Sequence, residues 1–190
     1  MKRGGLHTLK GNGGIDLIWF WTFLTYSLTG FLMEVAFAAA VEGRPGRKGL
    51  LVLPLCPVYG LGACLILLLP RWVQVRPLAL FLLGGLTATA VEYADALYHE
   101  KVLGVAFWDY RDLPGNLQGR VCLPFALAWG ALSLGLVYWV HPLLVPWLAC
   151  IPAPVSWSAL IAAAADGLMS AALLRSTGDT ASLRWYARTP

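Results

Sequence analysis

An all-α, polytopic bundle of about five membrane-spanning helices, with a short interfacial or re-entrant segment, is the fold class this sequence predicts. Three observations predict it. The 190 residues are 58% hydrophobic and only 13% charged, whereas soluble domains are about 45–50% apolar and about 25% charged. The apolar residues are gathered into blocks of roughly 20 residues, the length a helix needs to cross a hydrocarbon layer about 30 Å thick. Lipid offers no partner to backbone polar groups, so each block is expected to satisfy its own hydrogen bonds as a helix.

The blocks run from about 17 to 40, 50 to 69, 77 to 98, 121 to 140 and 155 to 174. The first follows the basic MKRGGLHTLK and continues to Glu34 with no small-residue cleavage context before it. It is therefore predicted to be a retained membrane helix rather than a removed signal. The second contains Pro54 and Pro57, which predict a late start, a kink or a partly unwound entry. The third and fourth are uninterrupted. Between the fourth and fifth lies LLVPWLACIPAPV (143–155), with Pro146, Pro152 and Pro154; it is too short and broken to span and predicts an interfacial or re-entrant connection. The chain divides into a polar basic segment 1–14, one transmembrane domain 15–174 and a polar tail 175–190 expected to be mobile. Five spans put Lys2, Arg3, Lys10, Arg71 and Arg76 on one side, and Arg44, Arg47, Lys48, Lys101, Arg111, Arg120, Arg175, Arg184 and Arg188 on the other. Positive charge favours the second side as cytoplasmic, while the basic N-terminus argues the opposite orientation.

Composition also excludes function classes. The net charge of +4 is spread over short flanks and loops, which fits anionic lipid headgroups and offers no basic surface for nucleic acid. Cys56, Cys64, Cys122 and Cys150 are scattered in or beside apolar stretches, so they read as reduced small hydrophobes rather than a zinc or redox site. No cofactor and no dedicated metal site is expected. GRPGRKG lacks the phosphate-loop spacing G-x-x-x-x-G-K-[ST], and no ATP hydrolysis is expected of this chain alone.

Charge inside the apolar blocks is the functional signal, because each ionisable group there costs about 2.5–3.5 kcal/mol and so usually meets a cavity or a partner. Glu34, Glu92, Asp95 and Asp166 qualify, with His99 and Glu100 at the end of block three. On a helix Glu92, Asp95 and His99 fall within about a 60° arc, and Glu100 about 80° from Glu92. That stripe suits a cation, a proton relay or acid–base chemistry, and its ligand types also suit a transition metal. Asp166 sits among small residues (AAAADG) and reads first as a hydrogen bond to a neighbouring helix. A dry site holding Glu34 and Glu92 needs a cation or proton between them; Arg120 is the first protein candidate and Lys101 the next.

The loop WDYRDLPGNLQGRVC (108–122) carries a density of polar groups found nowhere else in the chain. Trp108 and Tyr110 suit the membrane interface, Pro114-Gly115-Asn116 reads as a turn, and Arg120 carries a planar fork for a carboxylate or phosphate. The loop is expected to cap the acidic sites.

With LTGFLMEV (28–35), LCPVYGLGA (55–63) and ATAVEYADALYHEKVLGVAFWDYRDLPGNLQGRVCLPFALAWG (88–130), the chain resembles the type IV ABC-transporter permeases, a bacterial family of small integral membrane proteins. The resemblance covers about residues 23–141. It implies a multi-pass protein of the bacterial cytoplasmic membrane, a transporter subunit, and a separate ATPase. It points to Glu34, Cys56, Pro57, Tyr59, Gly60, Glu92, Tyr93, Glu100, Gly104, Trp108, Asp109, Tyr110, Pro114, Asn116, Gly119, Arg120, Cys122 and Trp129. Ala94-Asp95 departs from a small-residue–Gly pair, Arg111 stands where serine is usual, and Gly115 where an aromatic is usual.

The functional expectation is a permease-like subunit that moves a small solute through a cavity lined by Glu34 and Glu92. Tyr59, Asp95, His99, Glu100, Trp108, Asp109, Tyr110, Asn116 and Arg120 complete the binding or gating set. Membrane lipids, an ATPase subunit and a second copy of the chain are the expected partners. Two alternatives stand beside it. One is a membrane enzyme with Glu92 or His99 as acid–base and Arg120 holding phosphate. The other is a structural or assembly protein.

Overall fold

In the computed structural model, residues 17–42 and 51–183 are described. The basic segment 1–14, the arginines and lysine of 44–48 and the end of the tail lie outside them, as do the orientation arguments they carry. The described residues form seven α-helices: α1 Leu17–Glu42, α2 Pro57–Leu67, α3 Arg71–Gln74, α4 Pro77–Tyr98, α5 Leu123–Gly135, α6 His141–Leu148 and α7 Ala153–Thr177. Two π-helical turns, His99–Leu103 and Leu136–Val140, prolong α4 and fuse α5 with α6. Four continuous helices, Leu17–Val41, Pro77–Leu103, Leu123–Leu148 and Ala153–Thr177, are long and apolar enough to cross a bilayer. The protein is an integral membrane protein with a helical-bundle architecture.

The second block differs from the other four. Its helix begins only at Pro57 and runs 11 residues, half a crossing. Yet the chain must return across the bundle between α1 and α4, because those helices point the same way. Phe37 of α1 meets Phe125, and Tyr26 meets His141, so α1 is antiparallel to the α5–α6 helix. Gly84 of α4 lies against Ser133, and Glu92 bonds to Trp129, so α4 is antiparallel to it as well. The return is shared between α2 and the non-helical residues 51–56.

Non-helical backbone at membrane depth must be satisfied by protein, and the amides of Val52, Leu53, Leu55 and Cys56 each have an acceptor. Val52 and Leu53 donate their N–H groups to the two oxygens of Asp166 on α7, at 3.1 and 2.9 Å. Leu55 N–H donates to Leu53 O at 2.7 Å, and Cys56 N–H donates to Ser27 O of α1 at 2.9 Å. Pro54 and Pro57 bring no N–H at all. Asp166 thus bonds to the backbone of the returning segment rather than to a side chain of a neighbouring helix. Its second contact is local, from Ser170 Oγ at 3.2 Å.

Of the segment 143–155, expected to be an interfacial or re-entrant connection, residues 143–148 instead continue the fourth span as a helix and 153–155 open α7. Pro142 and Pro146 each remove an N–H from the ladder. The π turn immediately before them shifts the hydrogen-bonding register, the usual device by which a helix absorbs such a defect. Only 149–152 remain as the connection. The tail also differs from expectation over its first part. α7 runs to Thr177, Gly178 caps it with φ +62°, and Leu183 is buried in a cluster with Leu103, Val105, Phe107 and Leu174. That cluster anchors the base of the 104–122 loop.

Candidate functional site

Small residues decide where the acidic side chains go. Gly85 and Gly130 let α4 and α5 touch backbone to backbone: a Cβ on Gly85 would stand 3.0 Å from Ala126 O, and one on Gly130 2.7 Å from Phe81 O. This approach brings Trp129 onto Glu92, whose Oε2 accepts from the indole Nε1 at 2.9 Å. The other oxygen, Oε1, accepts from Tyr110 Oη of the loop at 3.1 Å. Glu92 is only 5% exposed. On α1, Gly30 leaves room for the ring of Tyr59, which a Cβ would overlap at 2.1 Å. Tyr59 then donates its hydroxyl to Glu34 Oε1 at 3.1 Å. Tyr59 and Trp129 meet edge to face with centroids 5.1 Å apart, and Tyr110 stacks on Phe125 at 4.9 Å.

The result is one cluster in which Glu34, Tyr59, Trp129, Glu92 and Tyr110 follow one another across five parts of the chain, four helices and the loop. Its donors are all neutral. Burial, and then the carboxylate of Glu92, push the Tyr110 phenol above its ordinary pKa, so at neutral pH it is a protonated donor. Among the described residues neither Glu34 nor Glu92 makes an ion pair.

A family model described as "Putative ABC-transporter type IV" matches residues 21–172. The chain belongs to this family. No curated protein and no solved structure matches it. The match takes in all five residues of the cluster and extends through most of α7, beyond the stretch whose motifs carry the resemblance. Membership and the four apolar helices make the protein the membrane component of a transporter of this type.

Arg120 does not neutralise the Glu34–Glu92 pair as the sequence suggested. Its guanidinium is taken by Glu100: Nε donates to Oε1 and Oε2 at 3.1 and 3.0 Å, and Nη2 to Oε2 at 2.5 Å. Nη1 donates to Gln118 Oε1 and, at 3.4 Å, to Tyr93 Oη, and the guanidinium lies 5.4 Å over the Tyr93 ring. The hydrogen bonds that Arg120 donates to Glu100 raise its pKa further. The reason is positional. Arg120 closes the loop at the edge of the bundle, where Glu100 lies in the turn after α4, about 80° around the helix from Glu92. Lys101, the second candidate, is exposed. With its fork committed, Arg120 is not a vacant phosphate site.

The acidic stripe of α4 also divides. His99 Nε2 is 3.6 Å from Asp95 Oδ1, beyond hydrogen-bond reach. The imidazole is 4% exposed, has no hydrogen-bond partner on either nitrogen among the described residues, and packs edge-on against Phe107 and Trp108 at 4.7 and 5.9 Å. Among the described residues no group of three or more His, Cys, Asp or Glu side chains is placed to hold a metal ion.

The remaining loop residues shape the loop itself. Trp108 Nε1 donates to Arg120 O at 2.8 Å. Asn116 Nδ2 donates to Arg111 O and Leu113 O at 2.9 and 3.1 Å, while its Oδ1 accepts from Gly119 N–H at 3.3 Å. Asp109 Oδ1 accepts from Arg111 N–H at 3.0 Å in an exposed turn. Gly115 and Gly119 take φ of +64° and +74°, which L side chains resist. Gln118, absent from the sequence-based set, adopts φ +56° and joins Tyr93 to Arg120; Tyr93 Oη donates to its Oε1 at 2.8 Å. Trp129 was indicated by the family motif alone, and Gly30 by no chemical signal.

Proposed function

We propose that the Glu34–Glu92 cluster is the solute site of this transporter subunit, that the solute carries positive charge, and that the 108–122 loop caps the site. The observation that carries the reading is the pair of carboxylates held by Tyr59, Trp129 and Tyr110. Neutral donors hold a carboxylate in place but leave its charge unbalanced, and an incoming cation balances it. The loop takes part because Tyr110 is one of those donors, so opening the loop removes a hydrogen bond from Glu92. The energy comes from a separate ATPase, since no phosphate-binding loop is present in this sequence.

The reading is tested in membrane vesicles containing the chain together with the ATPase recovered by gentle-detergent purification from the native host. Counterflow of labelled small cations and zwitterions is measured for the wild type and for Glu92→Gln. Transport is expected to fall at least about tenfold in the variant, with membrane insertion unchanged. Normal counterflow in Glu92→Gln sinks the assignment. Turnover of a phosphate-bearing lipid by the purified chain alone, without any ATPase, also overturns it in favour of an enzyme.

A further inference from the structure

Beside the acidic cluster lies a cavity of about 170 Å³ between α1 and α5, floored by α2. Met33, Ala63, Ile66, Trp129, Leu132 and Val140 are among its walls. One helical turn past Met33, beyond the lining, Phe37 meets Phe125 with centroids 6.3 Å apart. At the other end Tyr26 Oη and His141 Nδ1 meet at 3.3 Å. The sides stay open, since Met33, Leu132 and Val140 are exposed on helices that face the bilayer.

Two glycines explain why the space is empty. Gly62 and Gly135 both line it, and a Cβ built on either meets nothing within 4 Å. A glycine inside a helix costs about 1 kcal/mol relative to alanine; Gly30, Gly60, Gly84, Gly85 and Gly130 each accompany a close approach, whereas Gly62 and Gly135, like Gly167 on α7, do not. Here no neighbour requires them. Protein interiors are otherwise packed to the density of organic crystals, so this void is shaped for something outside the chain.

Its polar end is equally defined. Tyr59 and Trp129 line the cavity with their rings and turn their hydroxyl and indole N–H to Glu34 and Glu92. Neither carboxylate lines the crevice, but each lies one hydrogen bond behind a ring that does, so a ligand that fills it ends against aromatic rings, which attract a desolvated ammonium, with Glu34 and Glu92 just beyond them. An anionic head meets repulsion there, and a neutral one leaves the charge unbalanced.

We infer that the crevice takes the apolar tail of a membrane-dissolved amphiphilic cation, its charged head seated against Glu34 and Glu92. This rests on the solute-site reading above and specifies the solute's class: a lipophilic amine or ammonium that enters sideways from the bilayer rather than from water.

The test uses the purified full-length chain in zwitterionic lipid nanodiscs, with decylamine bearing a diazirine in its chain as the probe. Decanol and decanoate with the same diazirine serve as comparisons. After irradiation, labelled residues are mapped by mass spectrometry. The amine is expected to label the Met33 and Leu132–Leu136 peptides about tenfold more than decanol, and decanoate least. Gly62→Leu and Gly135→Leu, which add bulk into open space, should suppress that labelling, while the double variant Glu34→Gln/Glu92→Gln should reduce the amine to the level of decanol. Equal labelling by amine and alcohol, labels spread over the lipid-facing side of α7, or insensitivity to Gly135→Leu overturns the inference. So does crosslinking of a second copy within the crevice. Failure here is distinct from failure of the solute site. Transport of a polar cation without crevice labelling removes only this inference, and crevice labelling without transport removes only the transport role.

Discussion

Glu92 and Asp166 start from the same position in chemistry: a lone carboxylate buried on a long apolar helix, 5% and 6% exposed. Their partners separate them. Asp166 is bound by two backbone amides of the returning segment and by Ser170, contacts that persist as long as the chain is folded. Glu92 is bound by the phenol of a loop and an indole, contacts that a moving loop or an arriving ligand can exchange. An acid in the membrane is thus structural when backbone depends on it, and available for function when only side chains do.

The largest effect that sharpens this contrast is Asp166→Ala. It removes the shared acceptor of Val52 and Leu53 at membrane depth, and buried donors deprived of an acceptor cost about 1–3 kcal/mol each. A loss of about 2–5 kcal/mol is expected in denaturant unfolding in detergent. Glu92→Gln retains an oxygen for Trp129 or Tyr110 and should unfold within about 1 kcal/mol of the wild type. Equal destabilisation of the two variants breaks the comparison.

Next comes Arg120→Gln. The ion pair with Glu100 and the contacts to Gln118 and Tyr93 are lost, so the hairpin loses its fixed end while Glu92 keeps its donors. Limited proteolysis between Asp109 and Arg111 should accelerate several-fold, with the melting profile of the helices retained. Unchanged proteolysis would show that the turn hydrogen bonds of Asn116 hold the loop alone.

A small effect, of the same order as that of Glu92→Gln, is expected from Tyr110→Phe. It keeps the ring stacked on Phe125 and deletes one neutral hydrogen bond to Glu92, a change of about 0.5–1.5 kcal/mol. A larger loss in unfolding would mean that the loop donor is structural after all, and Glu92 would then resemble Asp166.

The fold was largely legible because lipid imposes a length rule that apolar blocks obey. Pro54 and Pro57 correctly marked the second crossing as irregular. The fusion of α5 with α6 was hidden because proline reads as a break, and nothing local announces a π turn that tolerates it. In the candidate site, the cost of charge inside an apolar block singled out Glu34 and Glu92, of which Glu92 is buried and Glu34 exposed. The mate of Arg120 was not legible: the choice between Glu92 and Glu100 depends on how a hairpin with three positive-φ residues, Gly115, Gln118 and Gly119, turns back. The crevice was invisible for a different reason. A glycine that leaves space and a glycine that permits contact are the same letter, and Gly30 and Gly135 differ only in what surrounds them.

The tie between Leu53 and Asp166 spans 113 positions along the chain, and this sets an order of events during synthesis. Residues 51–56 reach the insertion machinery long before α7 exists, and a half-helix with unserved amides is a poor autonomous insert. The second crossing is therefore the last to become secure, although it is the second to be made. A nascent chain arrested before Ala153 is expected to leave a cysteine placed at Val52 open to a water-soluble thiol reagent, and release of the full chain to close it. Protection in the arrested chain would show that α1 and α2 suffice.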